Sequence, residues 1–233
     1  MKKALCNILP VLAVALVVAM ISGAALAQIT TSQPNYVPES YDVFTTNYFS
    51  NNNVTGAPHG TLRVTNDGSS EDDLCANVYV FDDSQEFKEC CSCPITPNGM
   101  RTWDINTDLN SNPANGVVAN QGEIQIISTH SNNWNGPCDP TFGAQIFTGG
   151  NIYVPLEPEL EAWATHVQVS NLPSKKPLVN PTYSLTETEA IEEELSYDEL
   201  AFLVRECAFV TAGPGQGQGS GSGRGTCGCG FEL

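Results

Sequence analysis

Eight cysteines follow residue 27 of this chain, and their clustering limits what it can fold into. They are Cys75, Cys90, Cys91, Cys93, Cys138, Cys207, Cys227 and Cys229. Their redox state is set by the start of the chain. Lys2 and Lys3 precede an apolar run from Val11 to Ile21, and Ala25-Leu26-Ala27 stands before Gln28. This pattern predicts a secretory signal peptide over residues 1–27, cleaved after Ala27, and a chain that folds where thiols oxidise. Pro10 interrupts the run, and the remainder is shorter than the ~20 residues a spanning helix needs. Cys6 leaves with the leader.

The cysteine spacing then favours scaffold over reagent. Cys90-Cys91-Ser92-Cys93 and Cys227-Gly228-Cys229 place thiols too close in sequence to bridge one another easily, because a disulfide wants its Cα atoms about 5.5 Å apart in a set orientation. The first cluster is therefore expected to bond outward, to Cys75, Cys138 or the C-terminal pair. Four bridges can be drawn in about 105 ways, and the sequence leaves that choice open. Zinc sites space their ligands differently, and no Cys-x-x-Cys is present for thioredoxin-like exchange. All eight are read as disulfide cysteines.

Cleavage would leave 206 of the 233 residues and, with Lys2 and Lys3 gone, shift the net charge from −17 to −19. That length suits one ordinary domain with an appendage. Such a charge repels phosphate backbones and anionic lipid, so nucleic acid and membranes are poor partners and cations better ones. No further apolar segment of spanning length follows. The expected location is periplasmic or extracellular.

Residues 28–40 carry Pro34 and Pro38 and read as an extended N-terminal arm. From Tyr41 the texture is that of short strands: Val43–Phe49, Thr61–Thr65, Ala76–Phe81, Met100–Ile105, Glu123–Ile127, Gln145–Phe147, Asn151–Val154 and Ala162–Val169. Asp67-Gly68, Pro97-Asn98-Gly99 and Asn115-Gly116 are turn signals between them. Mainly β structure, as an antiparallel β-sandwich over residues 41–181, is expected. Residues 182–212 read as a helical appendage. Thr186 with Glu189 is one capping pair, and Ser196 with Glu199 a better one, flanked by Leu195 and Leu200 as a hydrophobic staple. Leu200, Leu203, Val204 and Cys207 share one helical face, predicting a short helix over 197–207 tied down by Cys207. The acidic residues from Glu187 to Glu194 read as the solvated face of an earlier turn. Residues 213–233 are a Gly-rich tail whose slack lets the terminal cysteine pair reach partners.

Candidate sites are few. Asp104, Asn106 and Asp108 put oxygen ligands at alternate positions, like the start of a calcium loop. Leu109 stands where the EF-hand needs glycine, and Asn115 where it needs a bidentate Glu. Asp67, Glu71, Asp72 and Asp73 make a second acidic loop. Trp134, among amide side chains, is a candidate for stacking on a glycan ring, with packing over the Cys138 bridge as the alternative. His59, His130 and His166 belong to no metalloprotease motif, and no Gly-x-Ser-x-Gly elbow exists.

The segment Cys90-Cys91-Ser92-Cys93-Pro94-Ile95-Thr96-Pro97-Asn98-Gly99 and the tail from Arg205 to Cys229 resemble a group of exported Cys-rich bacterial proteins. That resemblance implies export and assigns no catalytic or binding residue. The expected function is that of a secreted, disulfide-stabilised, non-enzymatic structural or interaction protein, such as a surface or fibre subunit with a protein partner or a second copy. An extracellular glycan- or calcium-binding module is the alternative, and a secreted hydrolase the third reading.

Overall fold

The computed structural model describes residues 43–113, 115–131, 138–141, 156–170, 182–211, 224–225, 227–229 and 231–233. Strands β1 (Phe44–Phe49), β2 (Thr61–Asn66), β3 (Leu74–Asp82), β4 (Phe87–Ile95), β5 (Met100–Asp104), β6 (Gly122–His130) and β7 (Leu160–Val169) come first. Then follow β8 (Tyr183–Glu189), β9 (Ile191–Glu192), helix α1 (Tyr197–Thr211), β10 (Arg224–Gly225) and β11 (Phe231–Glu232). Two antiparallel sheets result, ordered β10-β4-β3-β6-β1-β9 and β11-β5-β2-β7-β8. The mainly β, sandwich-like arrangement agrees with the sequence reading.

Alternation builds the core. Leu74, Ala76, Val78 and Val80 of β3, Ile124 and Ile126 of β6, and Cys91, Cys93 and Ile95 of β4 face the second sheet. There they meet Leu62, Val64, Trp103, Ala162 and Ala164. The opposite face of the first sheet is also covered. Phe44, Tyr79, Phe81, Cys90 and Ile127 pack under Leu200, Leu203, Val204, Cys207 and Val210 of α1. β3 is thus buried on both sides along nearly its whole length. At Gly122 the backbone passes so close to Phe81 and Phe49 that a Cβ would collide with the Phe81 carbonyl oxygen.

Three segments differ from the sequence expectation. Phe87–Ile95, not among the expected strands, is a strand pairing β3 along its length, with a bulge where the register shifts between Val80 and Phe81. Residues 183–192, assigned to the helical appendage, form β8 and β9. β8 satisfies its backbone against β7 from Trp163↔Glu189 to Val169↔Tyr183, so Thr186 and Glu189 are strand residues and cap no helix. Helix α1 does start where expected, with the Glu199 amide donating to Ser196 Oγ at 3.2 Å. It runs one turn beyond Cys207, to Thr211, because Val210 is also buried against the sheet. Gln145–Phe147 and Asn151–Val154 lie outside the described residues.

Four disulfides join Cys75 to Cys138, Cys90 to Cys207, Cys91 to Cys227 and Cys93 to Cys229. No bridge lies within a cluster, but the expected partners are only partly right: Cys90 takes Cys207 on the helix, and Cys75 and Cys138 bond each other. Because β4 alternates, Cys90 points to α1 while Cys91 and Cys93 point inward to the tail. The tail is also held by hydrogen bonds: Trp103 Nε1 donates to the Gly228 carbonyl at 2.8 Å and Arg101 Nη1 to the Cys229 carbonyl at 2.8 Å.

The two tail bridges are thermodynamically redundant. Either alone closes a loop with a sequence separation of 136, worth about 5 kcal/mol of unfolded-chain entropy. Once one is closed, the other closes a ring of only a few residues, worth about 2 kcal/mol. Replacing Cys93 and Cys229 by Ala is therefore expected to cost about 2 kcal/mol in urea unfolding. Replacing all four tail cysteines should cost well over twice that.

Candidate functional site

The proposed calcium ligands are brought together, but the Asp104 and Asp108 carboxylates serve the turn after β5, while Asn106 Oδ1 is buried without a partner. Asp104 Oδ1 accepts from the amides of Asn106 at 2.8 Å and Thr107 at 3.1 Å. Asp104 Oδ2 lies 2.7 Å from His59 Nδ1, and Asn106 Nδ2 lies 3.1 Å from His59 Nε2. Asp108 Oδ2 accepts from the Asp104 amide at 2.8 Å. This network closes the chain reversal that leads from Trp103 to the buried Leu109. A cation here would have to displace bonds to three backbone amides. Among the described residues, no group of three His, Cys, Asp or Glu side chains is arranged to hold a metal.

The second acidic loop is similarly occupied. Asp67 Oδ1 accepts from the Ser69 amide at 2.8 Å and from its hydroxyl at 2.7 Å, which holds the Asp67 carboxyl below the usual carboxylate range. Glu159, brought from the start of β7, accepts from the Ser70 amide at 2.9 Å. Trp134 lies outside the described residues.

The three histidines stand apart, each with its own partner. His59 belongs to the β5 turn. His130, at the end of β6, has Nε2 2.7 Å from Glu157 Oε1, with Asp72 4.0 Å from its other nitrogen. His166 on β7 is fully buried, stacks on Tyr48 at 3.7 Å and meets the Thr188 hydroxyl of β8 through Nε2. That is a histidine beside a hydroxyl, buried beneath the half-exposed Tyr48 ring. Burial pushes the His166 pKa down, against a raising contribution from the Tyr48 backbone.

One concave feature does gather unlike chemistries, and sequence reasoning missed it. A groove of about 280 Å³ lies between the outer face of the first sheet and the start of α1. Phe81, Gln85, Glu123, Gln125, Glu199 and Phe202 line it. Phe81 and Phe202 lie nearly parallel, 6.2 Å between ring centres, and Phe87 meets Phe81 edge-on at 5.2 Å. Gln125 Nε2 donates to Glu123 Oε1 at 2.9 Å, which leaves Gln125 Oε1 buried without a partner. Burial raises the Glu199 carboxyl above its ordinary pKa, opposed by the bond to Ser196 and reinforced by the charges of Glu123 and Glu193. The residues come from the β3–β4 hairpin, β6 and α1. Only the outward parity of Glu123 and Gln125 on β6 and the turn after Ser196 hinted at it.

His166 supplies a pH test of the packing at the β7–β8 edge. Its native pKa lies below the unfolded value of 6.5, so its contribution is complete above that pH and is lost as pH falls through 6.5 toward the native value. The urea midpoint is expected to decline between pH 7.5 and 5, and His166→Gln should make that decline shallower. Compared with known proteins, the chain matches no family model, no curated sequence and no solved structure.

Proposed function

We propose that the protein is an exported, non-enzymatic structural or interaction module whose cysteines serve as bracing. The observation that carries this reading is the contrast among its sheet edges. β9, β10 and β11 are edge strands of two residues each, and β10 and β11 flank a tail bonded through Cys227 and Cys229. β8 is an edge strand of seven residues, exposed from Thr186 to Glu189 and presenting Leu185 to solvent. Long unpaired edges are costly to leave open, since their free N–H and C=O groups template further pairing. Among the described residues, an exposed edge strand of this length on a body braced by four disulfides supports a role in which a strand from elsewhere is added.

The donor in this reading is the 28–40 arm of a second copy, which makes the protein a surface or fibre subunit. The strand that follows the arm is no part of the donor. β1 already pairs with β6 from Phe44↔Ile127 to Phe49↔Gly122 within its own chain. The test is light scattering on the disulfide-bonded protein beginning at Gln28 over a wide concentration range. Association is expected to fall on deleting residues 28–40, and on Leu185→Lys, which guards the β8 edge with a charge. A protein that stays monomeric at every concentration overturns the proposal.

A further inference from the structure

The groove beside α1 has a polarity that its own residues do not satisfy. Its polar walls are carboxylates and amides: Glu123 and Glu199 with Gln85 and Gln125, whose Oε1 is buried behind the surface without a partner. The amide donors of Gln125 are turned to Glu123. The cations around it are engaged. Lys88 of the same hairpin is buried between Asp82 at 2.8 Å and Glu86 at 2.7 Å. Arg205 pairs with Glu206 at 3.3 Å, and its guanidinium lies 5.7 Å from the Phe202 ring centre. That last contact shows Phe202 already accepting a planar cation. The groove therefore combines two carboxylates and two aromatic rings in about 280 Å³. A bare metal ion would make no use of the rings, and a neutral polyol would leave two carboxylates crowded.

We propose that this groove binds an organic cation, an ammonium or guanidinium head set against Glu123 and Glu199 with its methylene stem over Phe81 and Phe202. The volume suits one side chain or a short diamine, and cation–π attraction adds to the carboxylate pairing. This site does not depend on the self-association proposed above. Burial and two neighbouring acids, Glu123 and Glu193, oppose the ionisation of Glu199. Such an arrangement costs stability when empty: the native carboxyl holds its proton at a pH where the unfolded one has lost it, so stability declines as pH rises above 4.5 toward the native value. A bound cation offsets that cost.

The experiment is titration calorimetry of the disulfide-bonded protein at pH 7.5 and low salt. The free-amine arm is 1,5-diaminopentane, and the peptide-borne arm is N-acetyl-arginine methylamide. Pentane-1,5-diol and calcium chloride are the controls. Saturable binding of at least one amine is expected, at least tenfold tighter than either control and weaker at pH 4.5. A preference between the two arms tells whether the natural ligand is a free amine or a basic side chain. Glu199→Gln should weaken binding at least tenfold while the melting temperature at pH 7.5 holds or rises, since Gln retains the capping pattern and removes a half-buried charge. Phe202→Leu should weaken binding severalfold with the fold intact. The proposal is overturned if neither amine binds, if the diol or calcium binds as well as the amines, or if Glu199→Gln binds unchanged.

Discussion

Strand β4 alternates, and that alternation distributes covalent bonds between two layers. Cys90 reaches outward to Cys207 on α1, while Cys91 and Cys93 reach inward to Cys227 and Cys229. Ser92, between the inward pair, points outward and donates to Asn77 Oδ1 at 2.6 Å, and Asn77 in turn donates to the Ile127 carbonyl at 2.8 Å. A single strand therefore fastens the helix, the tail and the central strands. Were β4 to slip by one residue, every sulfur would face the wrong layer. The bridges thus hold register as well as constrain the unfolded chain.

The chain after β7 closes what the first seven strands leave open. Residues 183–192 run along the β7 edge as β8 and then change sheets to pair with β1 as β9, with Ala190 packed on the core between them. On the other side, residues 224–232 pair first with β4 and then with β5. Both lateral openings of the sandwich are bridged by chain that switches sheets. Charge supports this closure at the surface, where Arg63 meets Glu187 across the sheet at 2.9 Å. An exposed pair of this kind contributes little energy and mainly sets alignment.

Much of this was legible in the residues, and the misses have physical causes. The strands rich in Val, Ile and aromatic residues announced themselves, as did α1, because its cap and its four apolar positions are local signals. That the cysteine clusters bond outward followed from spacing, whereas the choice of Cys207 for Cys90 did not. β4 did not announce itself because cysteine and serine carry weak strand preference, and its burial comes from layers supplied by distant segments. β8 was hidden by glutamates that read as a helical surface. Its true determinants are the unsatisfied backbone of β7 and the Thr188 contact with His166. The groove was illegible for a different reason. Its walls come from three elements far apart in sequence, and what distinguishes them is an imbalance of donors and acceptors.

The pairing of Cys91 and Cys93 with the last cysteines also imposes a schedule. A ribosome makes the chain from its N-terminus, so these two thiols exist before 136 further positions have been added. At roughly 5–20 residues per second that interval is on the order of ten seconds. Throughout it, neighbouring sulfurs on one strand have only incorrect mates. The lock can close only once Cys227 and Cys229 have been made, and a polypeptide stopped short of Cys227 would carry two orphaned thiols in its interior.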